Sequence, residues 1–589
     1  MSPVPSLSIV LRQRVSEAIM AALPEVGPGS VDPQLRRSDR ADWQANGLLP
    51  LAKPLRAHPR QLAEKVVAAL FVEGPLAAAE VSGPGFINLF VTDAALIGQV
   101  VARAADPRVG IGVTEHPGTT VIDYSQPNIA KEMHVGHLRS TVIGDALARI
   151  LEHCGETVVR HNHLGDWGTQ FGMLIQDLRE RPEQRADGEN GTTTTGTGAI
   201  SRLNQLYRHA RTRFDSDPDF AERSRSRVVA LQSGDPDTVS AWREIVAESK
   251  VYFEAIYDRL GVLLTDEDAV GESFYNDMLA DVCAELERTG VATRSDGALC
   301  VFFDDILGPN GEPTPLIVQK KDGGYGYATT DLAAIRYRVC SLHANRLLYV
   351  VDARQELHFR MVFAAARRVG WLRPGVDARH IAFGTVLGTN GRPFKTRSGD
   401  TVRLMNLLDE AVDHARGVVS DKSSHLTADE VEQRAREVGI GAVKYTDLST
   451  NRTRDYVFDL DRMVSLHGNT SVYLQYAHAR IQSILSKAEN LGASAHPELT
   501  LTPSERRLAL LLDDFADTLT NTIDTFEPHR LCSYLFDLAQ AFTTFYETCP
   551  VLKADTTQQR DNRLLTCRLT RDTLRTGMTL LGVPTPDKL

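Results

Sequence analysis

The segment TTVIDYSQPNIAKEMHVGHLRSTVIGDALARILEH, residues 119–153, passes from one structural period to another. Its β-branched run, Thr119 to Ile122 followed by Asp123 and Tyr124, predicts a buried strand, and Val135 to His153 predicts the helix that follows. Together they begin a βα unit of the nucleotide-binding kind. HVGH, residues 134–137, opens the helix, so its backbone N–H groups and positive dipole end face whatever binds at the sheet's C-terminal edge. Imidazoles three residues apart share a helical face and can donate to one phosphate as it gains charge, while Gly136 lets a nucleotide ring approach the backbone. With 17 His and 43 Gly in 589 residues, chance supplies HxGH about 0.04 times. The bland alternative is two surface histidines near a helix start.

Outward from this unit, strands are expected at VVRHNH (158–163), RLLYVVDAR (346–354) and HIAFGTV (380–386), each followed by a helical pattern. That alternation predicts a doubly wound parallel α/β sheet. The chain before about residue 112 is balanced in charge and reads as a small α+β module: helical patterns at Ser8 to Leu23 and Pro59 to Leu70, then strand-like sequence into FINLFV with a tight turn at GPG, 83–85. From Asp461 onward apolar residues recur at helical spacing (YLQYAHARIQSIL, YLFDLAQAFTTFY), which predicts an all-α bundle. RADGENGTTTTGTGAI, 185–200, reads as a flexible surface insertion. The expected division is 1–112, 113–385 with an insertion over about 185–320, 386–460, and 461–589.

Composition narrows the function classes. A chain of 64.9 kDa with 42% hydrophobic and 24% charged residues and a mean hydropathy of -0.21 is neither disordered, fibrous nor repetitive. MSPVPSLSIVLRQRVSEAIM lacks the apolar core of a secretory signal, and no stretch approaches the ~18 apolar residues of a membrane span, so a cytoplasmic location is expected. Lys+Arg 65 against Asp+Glu 76, a net charge of -11, excludes a protein that holds polyanions by indiscriminate positive charge and leaves only local patches. Seven scattered cysteines, never in C-x-x-C, are read as reduced core thiols with no disulfide framework and no structural zinc.

VIDYSQPNIAKEMHVGHLRSTVIGDALARIL followed by HNHLGDWGTQFGMLI closely resembles class I aminoacyl-tRNA synthetases, and arginyl-tRNA synthetases in particular. The resemblance continues in order through DWQANGLLPLAK, SGPGFINLFVT, QKKDGGYGYATTDLAAIRYR, DARQELHF, GRPFKTRSGDTVRL and GAVKYTDLSTNRTRDYVFD, and covers nearly the whole chain except the Gly/Thr insertion. It implies a Rossmann-type catalytic domain of the HUP class, an N-terminal α+β domain touching the tRNA corner, and a C-terminal anticodon-binding bundle. The implied activity is ATP-dependent formation of arginyl-adenylate, with release of pyrophosphate, then transfer of L-arginine to the 2′-hydroxyl of the terminal adenosine of tRNA(Arg). It further implies ATP with Mg²⁺, activation that depends on tRNA, and a monomer.

The resemblance assigns His134, His137, Lys131 and Lys395 to catalysis. His134, Gly136, His137, Lys395 and Arg397 would bind ATP; no residue is assigned to a metal. The second phosphate motif of the class, usually KMSKS, is degenerate here (Gly391-Arg392-Pro393-Phe394-Lys395-Thr396-Arg397-Ser398-Gly399), which leaves the division of charge between Lys131 and Lys395 open. A basic surface loop is the alternative. A guanidinium calls for carboxylates in fork geometry. The resemblance places Asn128 and Gln355 at the amino and carboxylate end of arginine, and Glu272, Tyr327 and Asp331 around the guanidinium. A helix-terminal acid is the alternative for Asp331 and a solvated loop acid for Glu272.

For tRNA the candidates are Asn88 and Phe90 in the first module, Tyr473 and Tyr476 as stacking platforms, and Arg568, Arg571 and Arg575 as a stripe on the last helix. Core packing is the rival for the aromatics and a solvated face for the arginines. Rivals for the whole are a synthetase for another amino acid, a small nucleotidylyltransferase sharing HxGH, or a noncatalytic tRNA-binding paralogue. The helical bundle disfavours the nucleotidylyltransferase. The pocket acids disfavour a glutamate or glutamine enzyme, which would need a cationic pocket.

Overall fold

Five parallel strands form the central sheet, in the spatial order Asp377–His380, Arg346–Tyr349, Thr119–Asp123, Thr157–Leu164, Ala269–Gly271. The earliest strand in the chain lies in the middle. The next two are laid to one side of it and the last two to the other, so the sheet is doubly wound and its order reverses between Thr119–Asp123 and Arg346–Tyr349. Ligands of such sheets bind at the carboxyl ends of the strands beside that reversal. The structure, a computed structural model, describes residues 4–27, 31–181, 196–308, 310–394, 402–422, 426–488 and 494–588. The expected insertion at 185–200 lies outside the described residues as far as residue 195.

The helix Val135–His153 has the range its sequence predicts, and most of its circumference is buried, including Leu138, Val142, Ile143, Ala146, Leu147, Ile150 and Leu151 at no more than 1% exposure. Each of the large aliphatic side chains among these contributes about 1.5–3 kcal/mol of gross burial energy. A helix enclosed this way must satisfy its polar groups internally. Ser140 Oγ donates to the Val350 carbonyl at 2.6 Å, Asp145 accepts the Leu263 N–H at 2.7 Å, and Arg139 pairs with buried Asp447 at 3.3 Å while donating to the Arg454 carbonyl. Helices Gly196–Ser216, Pro218–Gln232 and Pro236–Leu260 form an inserted layer on Thr169–Glu180, and an antiparallel sheet of Leu316–Gln319, Ala298–Val301 and Thr293–Ser295 follows.

The strand expected at 380–386 is displaced. The sheet strand is Asp377–His380, and Val386–Leu387 pairs instead with Tyr456–Val457 in a separate parallel ladder. The chain leaves the sheet because its next donors find other acceptors: the Gly384 N–H donates to the Arg452 carbonyl at 2.8 Å, and the Thr385 N–H to Asp455. Among the cysteines, Cys340 is exposed and Cys154 only partly covered, so not all are core thiols as expected. No helix among the described residues is long and apolar enough to cross a membrane.

By internal contacts the chain divides into two units, Thr114–Val464 with Leu580–Val583, and Met1–Val113 with Ser465–Thr579 and Pro584–Leu589. In the second of these, a four-stranded antiparallel sheet (Leu35–Arg37, Trp43–Ala45, Phe86–Val91, Leu76–Ser82) and the helices Leu7–Ala22, Pro59–Ala69 and Asp93–Ala105 share one body with the C-terminal helices. Those are Ser471–Ser486, Pro503–Asp513, Phe515–Thr525, His529–Thr548 and Thr557–Leu580. Buried Arg103 bridges to Asp513 at 2.9 Å, Arg506 pairs with both Asp42 and Asp93, and Arg37 with Asp514.

In the sheet unit, Asp123 and Arg338 form a buried ion pair at 2.6 Å, 2% and 1% exposed. Removing one charge strands the other in a low dielectric, so Asp123→Asn is expected to cost about 3–5 kcal/mol. Urea unfolding monitored on this unit checks it; a loss below about 1 kcal/mol would refute the assignment of a dry pair.

Candidate active site

HVGH begins where the sequence places it, at the mouth of the helix behind the central strand. His134 is the N-cap: the Gly136 N–H donates to His134 Nδ1 at 3.0 Å, and the His134 N–H donates to His137 Nδ1 at 3.0 Å. Two orphan donors of the helix start are thus satisfied by imidazoles in place of the usual hydroxyl or carboxylate. The ring centroids are 4.1 Å apart. Because each Nδ1 accepts, each proton sits on Nε2, leaving both rings as oriented neutral donors. Burial holds the His137 imidazole down to about 3, with neighbouring His134 adding to the effect; burial, then Arg354 and Lys131, lower His134. Protonating His137 therefore opposes folding: its contribution is complete above about pH 6.5 and declines as pH falls toward 3.

Gly136 has an additional reason to be glycine. A Cβ there would stand 2.7 Å from Cε1 and 2.9 Å from Nδ1 of His134, so any side chain displaces the ring that caps the helix. The loop leading into HVGH is strained, with Ser125, Gln126 and Ala130 all at positive φ. Strain of this kind persists only where surroundings impose it. Here the Ser125 N–H donates to Ser140 Oγ, the Gln126 N–H to Asn162 Oδ1 and the Ala130 N–H to Ser249 Oγ, at 2.9 to 3.0 Å.

Lys131 lies in that loop with Nζ 4.8 Å from the Tyr207 ring centroid. Lys395 and Arg397 lie outside the described residues. Both flanks of their segment are anchored. The Gly388 N–H donates to the Arg392 carbonyl and the Phe394 N–H to the Val386 carbonyl on one side; on the other the Val135 N–H donates to the Val402 carbonyl and the Leu404 N–H to the Met133 carbonyl. Arg403 also pairs with Glu132 at 2.9 Å. The downstream flank is therefore joined directly to the backbone of HVGH.

Carboxylates gather beyond the strand Thr157–Leu164. Glu272 starts a one-turn 3-10 helix, Glu272–Tyr275, and burial raises its carboxyl to about 8, with Asp166 and then Asp331 adding repulsion. Tyr327 and Asp331 are four apart on the helix Tyr327–Cys340 and so share a face; Tyr327 is 76% exposed, and Glu272 contributes to raising its phenol after burial. Asp331 is not the cap of this helix, whose N-cap is Gly326, and it pairs with His358 Nε2 at 2.6 Å. Asn128 is exposed and bridges Gly165; Gln355 is exposed at the end of the turn Ala353–Gln355. Three neighbours of these residues were not singled out from the sequence: Asp166, His358 and Arg354. Each lies inside a motif that was (HNHLGDWG or DARQELHF), and His358 follows Gln355 at helical spacing.

The tRNA candidates lie in the other unit. Asn88 and Phe90 alternate with Ile87, Leu89 and Val91 and so occupy the opposite sheet face, where Asn88 is itself buried at 6% exposure and accepts from Gln44 at 2.8 Å while Phe90 is partly covered. Tyr473 is half-buried against Phe536, whereas Tyr476 is 43% exposed beneath Arg480, whose guanidinium also covers Tyr546. Arg568 reaches the Ala104 carbonyl, Arg571 pairs with Asp572 and Arg575 with Asp587.

A doubly wound sheet carrying HVGH at the first strand–helix junction, with acids across its mouth, defines a class I aminoacyl-tRNA synthetase. The family model for the class I (R) tRNA synthetase catalytic domain matches residues 105–460, that for the arginyl-tRNA synthetase N-terminal domain residues 10–91, and that for the DALR anticodon-binding domain residues 474–589. An arginine–tRNA ligase of Streptomyces avermitilis is 57% identical over 593 residues, covering 100% of both chains. Among solved structures, arginyl-tRNA synthetase of Plasmodium falciparum aligns with a TM-score of 0.83 at 28% identity over 100% of both chains, and that of Thermus thermophilus with 0.81 at 27%, over 98% of this chain and 100% of that one. The chain belongs to the arginyl-tRNA synthetase family.

Gly136→Ala is expected to lower ATP–pyrophosphate exchange about 10–100-fold through displacement of the His134 ring, with the melting temperature nearly unchanged. Exchange within twofold of the parent would show that the ring's position does not matter.

Proposed function

We propose a residue-level account of arginylation in which the HVGH mouth holds ATP and Glu272, Tyr327 and Asp331 hold the guanidinium of arginine. The enzyme joins L-arginine to tRNA(Arg) through an arginyl-adenylate, with ATP as the second substrate. One observation carries the residue assignment: neutral imidazole donors stand at the helix N-terminus that follows the central strand, and mutually repelling carboxylates gather beyond the neighbouring strand Thr157–Leu164.

The nucleophile is the substrate's own carboxylate, which attacks the α-phosphate while pyrophosphate leaves. His134 and His137 donate through Nε2 to oxygens whose charge grows in the transition state, and the helix dipole adds to them. Lys131, with Lys395 and Arg397, balances the departing pyrophosphate. Mg²⁺ would supply further charge neutralisation there. Such an ion favours substrate phosphate oxygens together with one or two carboxylates at most. Asn128 and Gln355 orient the α-amino and carboxylate end.

In the second step the 2′-hydroxyl of the terminal adenosine attacks the adenylate's carbonyl carbon, the acyl–phosphate bond breaks and AMP leaves with the hydroxyl's proton passing to it or to solvent, and activation depends on bound tRNA. Residues 1–112 meet the tRNA corner through Asn88 and Phe90, 113–385 perform activation, 386–460 carry the phosphate loop and connecting helices, and 461–589 read the anticodon through Tyr473, Tyr476, Arg568, Arg571 and Arg575. The enzyme acts as a cytoplasmic monomer.

Arginine-dependent exchange in the presence of tRNA(Arg) tests the activity, and a preference for another amino acid would overturn it. Asp331→Ala is expected to raise the KM for arginine by about 100-fold, the worth of a lost charge-assisted contact, with the KM for ATP within about twofold. Equal effects on both substrates would remove Asp331 from the arginine pocket.

A further inference from the structure

The turn Leu164 to Gly168 grips the short helix that carries Glu272. Asp166 accepts the Ser273 N–H through Oδ1 at 2.8 Å and the Ser273 hydroxyl through Oδ2 at 2.6 Å. Its own carbonyl accepts from the Trp242 indole at 2.8 Å, and the Trp167 backbone N–H faces the Glu272 carboxyl. Asp166 is 5% exposed. Gly271, between the strand Ala269–Gly271 and Glu272, leaves no room for a side chain: a Cβ would lie 2.0 Å from Asp166 Oδ2. The carboxylate is therefore wedged against the backbone that aims Glu272, yet a carboxylate is a costly choice for this clamp. An amide would satisfy Ser273 equally, because its oxygen can accept from the N–H and its NH₂ can donate to the hydroxyl.

We infer that Asp166 is a positioning residue for arginine recognition: it fixes the Glu272 turn through Ser273 and sets a second acidic group against Glu272, so that either a proton or a bound guanidinium must offset their repulsion. This deepens the proposed function and rests on its assignment of Glu272 to the guanidinium. The groups facing Glu272 are Asp166 from the turn, Asp331 and Tyr327 from the helix Tyr327–Cys340, with His358 turned onto Asp331 and His163 acting on Asp166. Burial and like charge hold the Glu272 carboxyl near 8 and burial raises Asp166, so the pair titrates as a coupled unit. Below about pH 8 the free pocket keeps a proton on this pair. Arginine, arriving as a cation, binds the ionised form and sends that proton to solvent.

The experiment is arginine titration of the enzyme with excess tRNA(Arg), by calorimetry at pH 7 in two buffers of different ionisation enthalpy, alongside the pH profile of arginine kcat/KM in exchange. The parent is expected to release up to one proton per arginine and to show an acid limb in kcat/KM. Asp166→Asn, which keeps the Ser273 contacts, is expected to shift that limb about one pH unit lower and reduce the proton release by half or more, with ATP KM unchanged. Ser273→Ala, a mild change that keeps Asp166, is expected to raise arginine KM several-fold without moving the limb. An Asp166→Asn profile that matches a normal parent overturns the inference while leaving the functional reading intact, as does an equal rise of both KM values. A parent lacking arginine-dependent exchange sinks the functional reading and this inference with it.

Discussion

Beneath the reversal of strand order, Asp123 and Arg338 meet at 2.6 Å with almost no access to water. Arg338 also donates through Nε to His161 Nδ1 at 3.2 Å, and its guanidinium lies over the Tyr349 ring at 5.0 Å. His161 accepts because it is neutral; burial, and then the charge of Arg338, hold it down to about 3. Each partner belongs to an element that delivers part of the site. Asp123 ends the strand before HVGH, His161 lies on the strand before Asp166, Tyr349 ends the strand before Gln355, and Arg338 shares a helix with Tyr327 and Asp331. Asp331 precedes Arg338 by seven residues, two helical turns and ~10 Å. A pair this dry is poor evidence for stability in itself. Its value lies in fixing four elements to a common origin, so that the groups above keep their separations.

Above that anchor the two ends of the site use opposite electrostatics. The HVGH mouth presents neutral rings on a helix N-terminus. Fixed cations alone would hold ground-state ATP as firmly as the transition state, whereas oriented neutral donors gain most when charge moves onto the oxygens they face. Beyond the strand Thr157–Leu164 stand carboxylates instead, with Asp166 and Asp331 repelling Glu272. A compact ammonium would satisfy one of them, but a planar guanidinium with five donors can meet several at once. The strain in Ser125, Gln126 and Ala130 belongs to the same economy of position: the loop is held in a sparsely populated conformation so that Lys131 and the two imidazoles converge.

Much of this was legible because local and global requirements coincide. The β-branched run and the enclosed helix follow from residues 119–153 alone, and HVGH gains meaning from its position between them. The strand at 380–386 misled because the acceptors of its N–H groups, the Arg452 carbonyl and the Asp455 carboxylate, lie about seventy residues away and no local pattern announces them. Asp166 and His358 were hidden for a different reason. Each stands inside a recognised motif, but its role depends on what it touches across the sheet, Ser273 in one case and Asp331 in the other. Spacing reveals which residues share a face. It does not reveal which faces meet.

The same limit governs the charge balance. A run of arginines near the C-terminus reads as a polyanion surface, yet Arg563 is buried on Glu505, Arg571 lies on Asp572 and Arg575 on Asp587. Arg103, Arg37 and Arg506 are likewise paired, with Asp513, Asp514, Asp42 and Asp93, and these pairs join the first module to the C-terminal helices. Many acids of the chain are therefore structural partners of its own arginines. Each such pair cancels one charge of either sign, so the excess of acids in the count of 65 against 76 is carried by the groups outside these pairs.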